Sequence, residues 1–404
     1  MKKILYYSVL LLLSSCQFTN QKFSNFSIPV GLNDAIIVPI DSSFVKKIIV
    51  PSPENSISSS EVITDVKYIP LETTPEALIG YYNKILVYKN LIYIMDYLSA
   101  EAVFIYTMEG KFIKKIGNKG GGPEEFYLLY GMSIDRNKDN LVIYDNRKRK
   151  MMYYTLTGDF IKSIDVPYRF SGQYEILPSG RMLSITSKSD GNFHLDNYDD
   201  YRLIYTDSLG TIQKFGFKYN DNIDLSVAWS KLFYCDNELL CYPQFQNSIY
   251  SVSDTLIREK YRIDCGNFTT FDFKRLSQYT NLDNFDKDWD ATTNLSPYIS
   301  ENRTHLYFSI TNERKEYYYF YNKETGNLRG TKKVIFDSDF IVEFPKLFNY
   351  EDYFIGPVSI EKLYALREYK RVKGELISRP LGNMIDSLKE EDNPPLVLFK
   401  IKNI

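Results

Sequence analysis

The feature that most constrains the fold is a hairpin-like segment that recurs along the chain. Each copy has a run of β-branched and aromatic residues, a short polar turn and a second run of the same kind. The turn glycines of the first three copies, Gly110, Gly158 and Gly210, are spaced 48 and 52 residues apart, Asp254 marks a degenerate copy and Gly326 a late one. Glycine at a fixed place in the turn allows a positive φ angle that a Cβ atom disfavours. The pattern predicts a repeated, strand-rich fold.

A second hairpin precedes each of these copies, so that each unit contains four short strands. In the first unit it spans residues 85–94, around the turn Lys89-Asn90. The 35 Tyr and 26 Phe residues help to raise the aromatic content to 16%, which also favours strands. Units of four strands that repeat at about 45 residues are typical of β-propeller blades. We count six units, at residues 82–116, 129–165, 172–216, 231–263, 302–335 and 347–401.

Two of the units carry the pattern of a known repeat. Residues 92–112 and 141–160 resemble NHL-type blades, and residues 116–126, which include three consecutive glycines, resemble the turn between such blades. Over about residues 61–403 the chain resembles the six-bladed β-propeller lipoproteins of Gram-negative gut-type bacteria. This resemblance implies an all-β, six-bladed propeller with NHL-like four-stranded blades. It also implies that an N-terminal strand, residues 62–71, completes the last blade and closes the ring.

Two regions depart from the blade pattern. Residues 273–279 are predicted to form a short helical or irregular stretch. Residues 360–391 are the best helical candidate, because Ile360, Leu363 and Tyr364 recur at helical spacing. We interpret the second region as a small helical insertion within the last blade.

The N-terminus has the pattern of an export signal. Lys2 and Lys3 precede an apolar run at residues 4–13, which is too short to span a bilayer core of about 30 Å. The small residues before Cys16 resemble the lipobox of bacterial lipoproteins, in which the chain is cut before the cysteine and the cysteine is lipidated. The alternatives are a soluble signal peptide with an incidental cysteine, or an N-terminal anchor helix.

The lipobox resemblance implies three segments and a cellular address. Residues 1–15 are a signal peptide, residues 16–60 are the lipidated Cys16 and a polar tether, and residues 61–404 are the propeller domain. The tether is rich in Ser, Asn and Pro, with two short stretches apolar enough to add strands. We expect membrane attachment through the lipid on Cys16. No acidic run follows Cys16, which favours an outer-membrane protein that faces the periplasm.

Charge and composition limit the partners and cofactors. The 49 basic and 51 acidic residues give a net charge of −2, so we expect no nucleic-acid partner. Two His and four Cys residues argue against multi-histidine metal centres and zinc modules. Asp286, Asp288 and Asp290 alternate as in a calcium loop, but Ala291 stands where that loop needs glycine. We predict no cofactor and leave open a divalent cation such as calcium.

The candidate site is the mouth of the propeller channel. Propellers bind ligands on the face built from the loop that enters each inner strand and the loop that joins strands two and three, and functional residues concentrate in such loops. We predict a polar mouth of mixed charge and no catalytic residues. The candidate ligand-binding residues are Asp96, Asp145, Arg147, Arg149, Arg169, Arg303, His305 and Arg314.

Two functions are compatible with the sequence. The first is a cell-envelope lipoprotein that acts as a binding or scaffold module for a protein, peptide or glycan. The second is a lyase or hydrolase that uses a divalent cation in the channel, because some NHL-like propellers are lyases and the fold does not decide between them. A deep, carboxylate-lined channel favours the enzyme, whereas a shallow face with exposed Tyr and Arg favours binding.

Overall fold

The computed structural model describes residue 32 and residues 35–170, 172–218, 230–243 and 246–403. Within these residues it contains six sheets, the blades, each built on four antiparallel strands and numbered here in chain order. The strands of each blade are given from the inner strand outward. Blade 1 consists of Lys84–Tyr88, Leu91–Asp96, Ala102–Thr107 and Phe112–Ile116, and blade 2 of Leu129–Asp135, Asn140–Asp145, Lys150–Thr155 and Phe160–Asp165. Blade 3 consists of Tyr174–Ile176, Met182–Ile185, Tyr201–Thr206 and Ile212–Lys218. Blade 4 consists of Lys231–Cys235, Glu238–Tyr242, Ser248–Val252 and Ile257–Asp264, and blade 5 of Thr293–Glu301, His305–Asn312, Lys315–Asn322 and Leu328–Thr331. Blade 6 consists of Phe348–Tyr350, Tyr353–Pro357, Leu396–Ile401 and Ile63–Ile69.

The six inner strands form a closed ring. Each inner strand contacts the inner strand of the next blade, and that of blade 6 contacts that of blade 1. This arrangement is a six-bladed β-propeller around a central channel. The predicted all-β fold with six four-stranded blades is confirmed.

An N-terminal strand closes the ring, as predicted. Ile63–Ile69 is the outermost strand of blade 6 and pairs antiparallel with Leu396–Ile401, the last strand of the chain. Ile69 lies opposite Leu396 and Ile63 opposite Ile401. The pairing covers the edge of the last strand, which an open sheet would leave exposed.

The inner strand of blade 5 begins earlier than predicted. It spans Thr293–Glu301, whereas the sequence pattern placed the start of this blade at residue 302. The strand is irregular between Leu295 and Ile299, and Pro297 lies in this irregular stretch. Proline and a bulge interrupt the alternation from which strands are predicted.

The segment before the closing strand lies along the outer edges of three blades. Ile36–Ile37 pairs with the outer strand of blade 3, and Lys46–Ile49 with that of blade 4. Ile57–Ser58 pairs with Val334–Ile335, just after blade 5. The side chains of Val38, Ile48, Val50 and Ile57 are buried there. The division at residue 60 stays a prediction, but much of the predicted tether packs against the propeller.

Four α-helices occur in the described residues: α1, Ser59–Val62; α2, Leu282–Asp290; α3, Ile360–Lys373; and α4, Arg379–Ser387. α3 and α4 form the helical insertion that was predicted in blade 6. They bury Leu363, Leu366, Leu381 and Ile385 in one apolar cluster. None of the described helices is long and apolar enough to cross a membrane.

Tyrosines between the blades account for part of the aromatic composition. The hydroxyl of Tyr174 in blade 3 donates to the carbonyl of Val142 in blade 2 at 2.7 Å, and the hydroxyl of Tyr242 in blade 4 donates to that of Leu295 in blade 5 at 2.8 Å. The ring of such a tyrosine fills the apolar space between two sheets, and its hydroxyl group forms a hydrogen bond with the backbone of the neighbouring blade.

Candidate functional site

A cavity of about 420 Å³ lies in the central channel. Its volume is within the range of small-molecule sites in proteins, about 300–1,000 Å³. The inner strands of all six blades, or the residues next to them, line it. Representative lining residues are Lys84, Tyr130, Glu175, Lys231, Tyr298 and Lys346, one from each blade in order.

The two ends of the channel are distinguished by their loops. We call the end at which the chain enters each inner strand the upper face, and the opposite end the lower face. The turns that join strands two and three also lie at the upper face, and Tyr97 in such a turn donates its backbone N–H to Asn83 Oδ1 at 2.9 Å. Asn83, Gln173 and Lys346 line the cavity just before their inner strands begin, so the cavity reaches the upper face.

The only carboxylate among the described cavity-lining residues is already paired. Lys84 Nζ and Ser133 Oγ donate to the two oxygens of Glu175, at 2.9 and 2.5 Å. The Glu175 side chain is only 4% exposed. These contacts join blades 1, 2 and 3 on one side of the channel, and they use both oxygens of the carboxylate.

Two further lysines face the cavity without a carboxylate partner. Lys231 Nζ donates to the carbonyl of Ile299 at 2.5 Å and lies 5.3 Å from the ring centroid of Phe233. Lys346 Nζ lies 5.8 Å from the ring centroid of Phe348. Among the residues described here, no carboxylate oxygen lies within 4.0 Å of either nitrogen. Toward the described residues, the two ammonium groups therefore keep unused donors.

The environment of both lysines disfavours their positive charge. Burial lowers the pKa of Lys231 to about 7, and the charges of Lys346 and Lys84 contribute to the same shift. Burial lowers the pKa of Lys346 to about 8. An ammonium group removed from water releases its proton more readily unless an anion compensates it.

Aromatic and polar groups complete the cavity wall. The ring centroids of Tyr97 and Tyr130 are 6.3 Å apart near the upper end. Burial raises the pKa of Tyr97, Tyr130 and Tyr298, so these phenols are neutral hydrogen-bonding groups at pH 7. The cavity thus combines apolar ring surface with cationic and hydroxyl donors.

Contacts near the lower face cross the channel. The Asn349 side chain of blade 6 donates to the carbonyl of Tyr234 in blade 4 at 2.7 Å. The guanidinium carbon of Arg136 lies 4.0 Å from the ring centroid of Tyr234. Arg136 itself is exposed, which places a fourth cation at this end of the cavity.

Two of the predicted site residues are buried and hold loops in place. Asp96 and Asp145 have no exposed surface. Each carboxylate accepts four backbone N–H bonds, two from the loop that enters the blade and two from the turn after the second strand. Both residues lie at the upper face, but their oxygens are committed to the backbone.

Three predicted arginines lie at the upper face of blades 2 and 3. Arg147 is exposed, and its guanidinium carbon lies 5.5 Å from the ring centroid of Tyr127. Burial and the charge of Arg169 lower the pKa of Arg149. Arg169 is held by its backbone N–H, which donates to Asn192 Oδ1 at 2.8 Å. None of the three arginines lines the central cavity.

The placement of Arg303 and His305 at the same mouth is wrong. Because the inner strand of blade 5 is Thr293–Glu301, Arg303 lies in the turn between strands one and two, and His305 begins strand two. That turn is at the lower face, where Arg303 Nε donates to Asp236 Oδ1 at 2.7 Å. His305 is fully buried, and burial lowers its pKa to about 4.

Arg314 lies at the upper face but outside the cavity. It follows strand two of blade 5, and its guanidinium pairs with Asp290. Asp286, Asp288 and Asp290 lie in α2 rather than in a loop, and Asp288 accepts a hydrogen bond from the Tyr279 hydroxyl at 2.6 Å. The described residues contain no group of three or more His, Cys, Asp or Glu that could hold a metal ion.

The residues that sequence reasoning missed are the charged ones of the inner strands. Lys84 and Lys231 begin inner strands, Glu175 lies within one, and Lys346 precedes one. The sequence signal that could have identified them is a charged residue between apolar ones, as in Tyr174-Glu175-Ile176. An inner strand directs some of its side chains into the channel, so such a charge is expected to face the channel.

The fold and the cavity define a six-bladed β-propeller with a lysine-rich central channel. The chain belongs to the family described as a domain of unknown function, DUF4934, whose sequence profile matches residues 45–400. No curated protein matches the chain.

Two solved structures are similar to this protein. A putative exported protein from Bacteroides fragilis NCTC 9343 aligns with 89% of this chain and 100% of its own, at 18% identity and a TM-score of 0.69. A member of the duf4221 family from Bacteroides vulgatus ATCC 8482 aligns with 85% of this chain and 99% of its own, at 12% identity and a TM-score of 0.47. The first similarity supports the fold. The TM-score of the second is too low to support any argument.

Proposed function

We propose that this protein is a lipid-anchored binding protein of the cell envelope that holds a ligand in the central cavity of its propeller. The observation that carries the proposal is the cavity of about 420 Å³ to which all six blades contribute. Its ring surfaces, phenols and ammonium groups are the mixture of apolar wall and few polar groups that small-molecule sites use.

The alternative, a lyase or hydrolase with a channel-bound divalent cation, is not favoured. Hard cations are bound by several oxygen ligands, usually carboxylates. The described wall of the cavity carries Glu175 as its one carboxylate, and Lys84 and Ser133 use both of its oxygens. Three lysines and an arginine in the same wall repel a cation.

Ligand class and location belong to the proposal. A glycan, a peptide or an end of a protein partner fits a channel with aromatic walls, and we expect no nucleic acid. We propose membrane attachment through Cys16, which lies outside the described residues, and an outer-membrane location that faces the periplasm. The similar fold of a protein described as exported is in keeping with this location.

A ligand screen with two tyrosine variants tests the proposed function. Residues 17–404 are heated with oligosaccharides, cell-wall fragments and short peptides, as wild type, Tyr298→Ala and Tyr369→Ala. Tyr298 lines the cavity, whereas Tyr369 is 49% exposed on α3. A ligand at about 100 times its Kd stabilises the fold by roughly 2.7 kcal/mol, which is a measurable rise in Tm.

We expect that at least one ligand class raises the Tm of the wild type and of Tyr369→Ala, and raises that of Tyr298→Ala much less. A ligand that stabilises all three proteins equally binds outside the cavity. That result, or no stabilisation across the screen, would contradict the proposal.

A further inference from the structure

We infer that the channel ligand carries an anionic head group, a carboxylate or a phosphate, which Lys231 and Lys346 bind at the cavity wall. This inference rests on the proposed function and deepens it by naming the chemical class of the ligand. It also goes beyond what the family description states.

The balance of charge in the cavity is the first argument. Four cationic side chains and one carboxylate line it within the described residues. The carboxylate, Glu175, is 2.9 Å from Lys84 and is hydrogen-bonded to Ser133. Lys231, Lys346 and Arg136 are left without an acidic partner among the described residues. A concave wall with excess positive charge attracts anions.

The position of the two lysines is the second argument. Surface lysines normally extend into water, but Lys231 and Lys346 are partly buried in the channel next to Phe233 and Phe348. Among the described residues, Lys231 has one hydrogen bond, to the carbonyl of Ile299. An ammonium group has three donors, and charge-assisted bonds to an oxyanion satisfy them better than a carbonyl does.

The lowered pKa values of the two lysines agree with this geometry. Their charges repel each other while the cavity holds no anion, and Lys346 and Lys84 contribute to the shift of the Lys231 pKa. A bound anion would reverse this effect and favour the protonated lysines. Binding of the anion is therefore expected to be coupled to proton uptake.

The surrounding rings indicate what is attached to the head group. Tyr97, Tyr130 and Tyr298 line the same cavity and offer ring faces and hydroxyl groups. An anion with an apolar or aromatic body can place its charge on the lysines and its body against these rings. Benzoate and phenyl phosphate are therefore suitable probes, and benzamide is the neutral counterpart of benzoate.

The test compares these three probes by calorimetry on residues 17–404. The proteins are the wild type, the double variant Lys231→Met/Lys346→Met and the control Lys46→Met, which removes an exposed lysine on the outer edge of blade 4. Methionine keeps most of the length and volume of the lysine chain, and it suits a partly buried site.

We expect the wild type and Lys46→Met to bind benzoate or phenyl phosphate at least about tenfold more tightly than benzamide. The double variant should lose that preference. The stronger of the two anions then identifies the head group as a carboxylate or a phosphate.

The pH dependence gives a second readout. Benzoate stays ionised from pH 6 to 9, while the pKa values of Lys231 and Lys346 lie at about 7 and 8. Of the groups that face them, Glu175 is paired with Lys84, Arg136 is exposed, and Tyr97, Tyr130, Tyr234 and Tyr298 have raised pKa values. Benzoate should therefore bind more weakly as the pH rises, and the double variant should show no such dependence.

The outcomes separate this inference from the proposed function. Equal binding of benzoate and benzamide, anion binding that survives in the double variant, or no binding of either anion would overturn the anionic ligand. The proposed function would still stand if a neutral ligand of the earlier screen bound the wild type and failed to bind Tyr298→Ala.

Discussion

Single buried carboxylates organise the loops of the upper face. The carboxylate of Asp145 accepts four backbone N–H hydrogen bonds of 2.8 to 3.3 Å. Two come from Tyr127 and Leu128 in the loop that enters blade 2, and two from Arg147 and Lys148 in the turn after its second strand. Each of these loops would otherwise leave backbone N–H groups unpaired in a partly buried environment. One side chain thus holds both upper-face loops of blade 2 in place.

Removal of that carboxylate should destabilise the fold strongly. We expect Asp145→Ala to lower the free energy of unfolding by about 2–4 kcal/mol, because four donors lose a charged acceptor. Urea denaturation measures the change. Asp159→Ala, in the same blade, is the control, since Asp159 is 68% exposed and should change stability far less. Equal effects of the two substitutions would show that the Asp145 hydrogen bonds are not stabilising.

His305 should make stability dependent on pH. Burial lowers its folded pKa to about 4, below the value near 6.5 of the unfolded chain. Its contribution is therefore complete above pH 6.5 and is lost as the pH falls toward 4. We expect His305→Gln to reduce this acid destabilisation by about 1–2 kcal/mol, measured by urea unfolding at pH 7.5 and pH 4.5. An unchanged difference between the two pH values would contradict the assignment.

The candidate site was predictable only in part at this scale. The sequence shows that Asp96 and Asp145 end strands, but not whether a carboxylate turns toward solvent or toward amides of the preceding loop. Arg303 and His305 were misplaced because one unrecognised strand reverses the end of the blade at which they lie. Lys231 and Lys346 belong to blades 4 and 6 and are far apart in the sequence, so only the folded ring brings them to one cavity.

The helices α3 and α4 form an element of their own on blade 6. Leu363 is fully buried in their shared cluster, whereas Leu376, in the connection between them, is 93% exposed. We expect Leu363→Ala to destabilise the protein by about 2–4 kcal/mol, because it leaves a cavity between the helices. Leu376→Ala is the matched control and should change little. Thermal unfolding followed by circular dichroism measures both, and a neutral Leu363→Ala would argue against this packing.

Strands with regular alternation were easier to predict than irregular ones. The outer hairpins of blades 1 and 2 were located within a few residues, because the turns at Gly110 and Gly158 separate their strands three and four. The inner strand of blade 5 was missed because Ser296 and Pro297 interrupt its pattern. The pairing of Lys46–Ile49 with blade 4 is parallel and spans more than two hundred residues of sequence, so no local turn signals it.

Two N-terminal truncations separate the roles of the edge strands and the closing strand. A chain that begins at residue 59 keeps Ile63–Ile69 but loses the buried side chains of Val38, Ile48, Val50 and Ile57. We expect it to fold with reduced stability, by about 1–2 kcal/mol for each lost side chain at most. A chain that begins at residue 71 also lacks the closing strand and exposes the edge of Leu396–Ile401.

We expect the shorter chain to lose cooperative unfolding and to aggregate, because an exposed strand edge pairs with other chains. Size-exclusion chromatography and urea denaturation of both chains measure these effects. If the chain from residue 71 were as stable and monomeric as the chain from residue 59, strand closure would not be needed for the ring.

At the scale of the whole molecule, repetition made the architecture predictable and the channel contents unpredictable. A period of about 50 residues with four strands specifies blades, and a strand before the first blade specifies closure. Among the described residues, the charge of the channel depends instead on one residue in or beside the inner strand of each of five blades: Lys84, Arg136, Glu175, Lys231 and Lys346. No repeat pattern carries that information. The grouping of the lysines in one cavity is therefore evident only when the six blades are placed around one axis.

The proposed location of the propeller depends on a single residue, Cys16. If the chain is lipidated there, Cys16→Ala should block incorporation of radiolabelled palmitate and shift the protein from the detergent phase to the aqueous phase of Triton X-114. Cys235→Ala is the matched control, because Cys235 is buried in blade 4 and its variant should still be labelled. Protease treatment of intact cells then tests the orientation, since a propeller that faces the periplasm is protected until the outer membrane is opened. Label on Cys16→Ala, or digestion in intact cells, would contradict the anchor or the periplasmic orientation respectively.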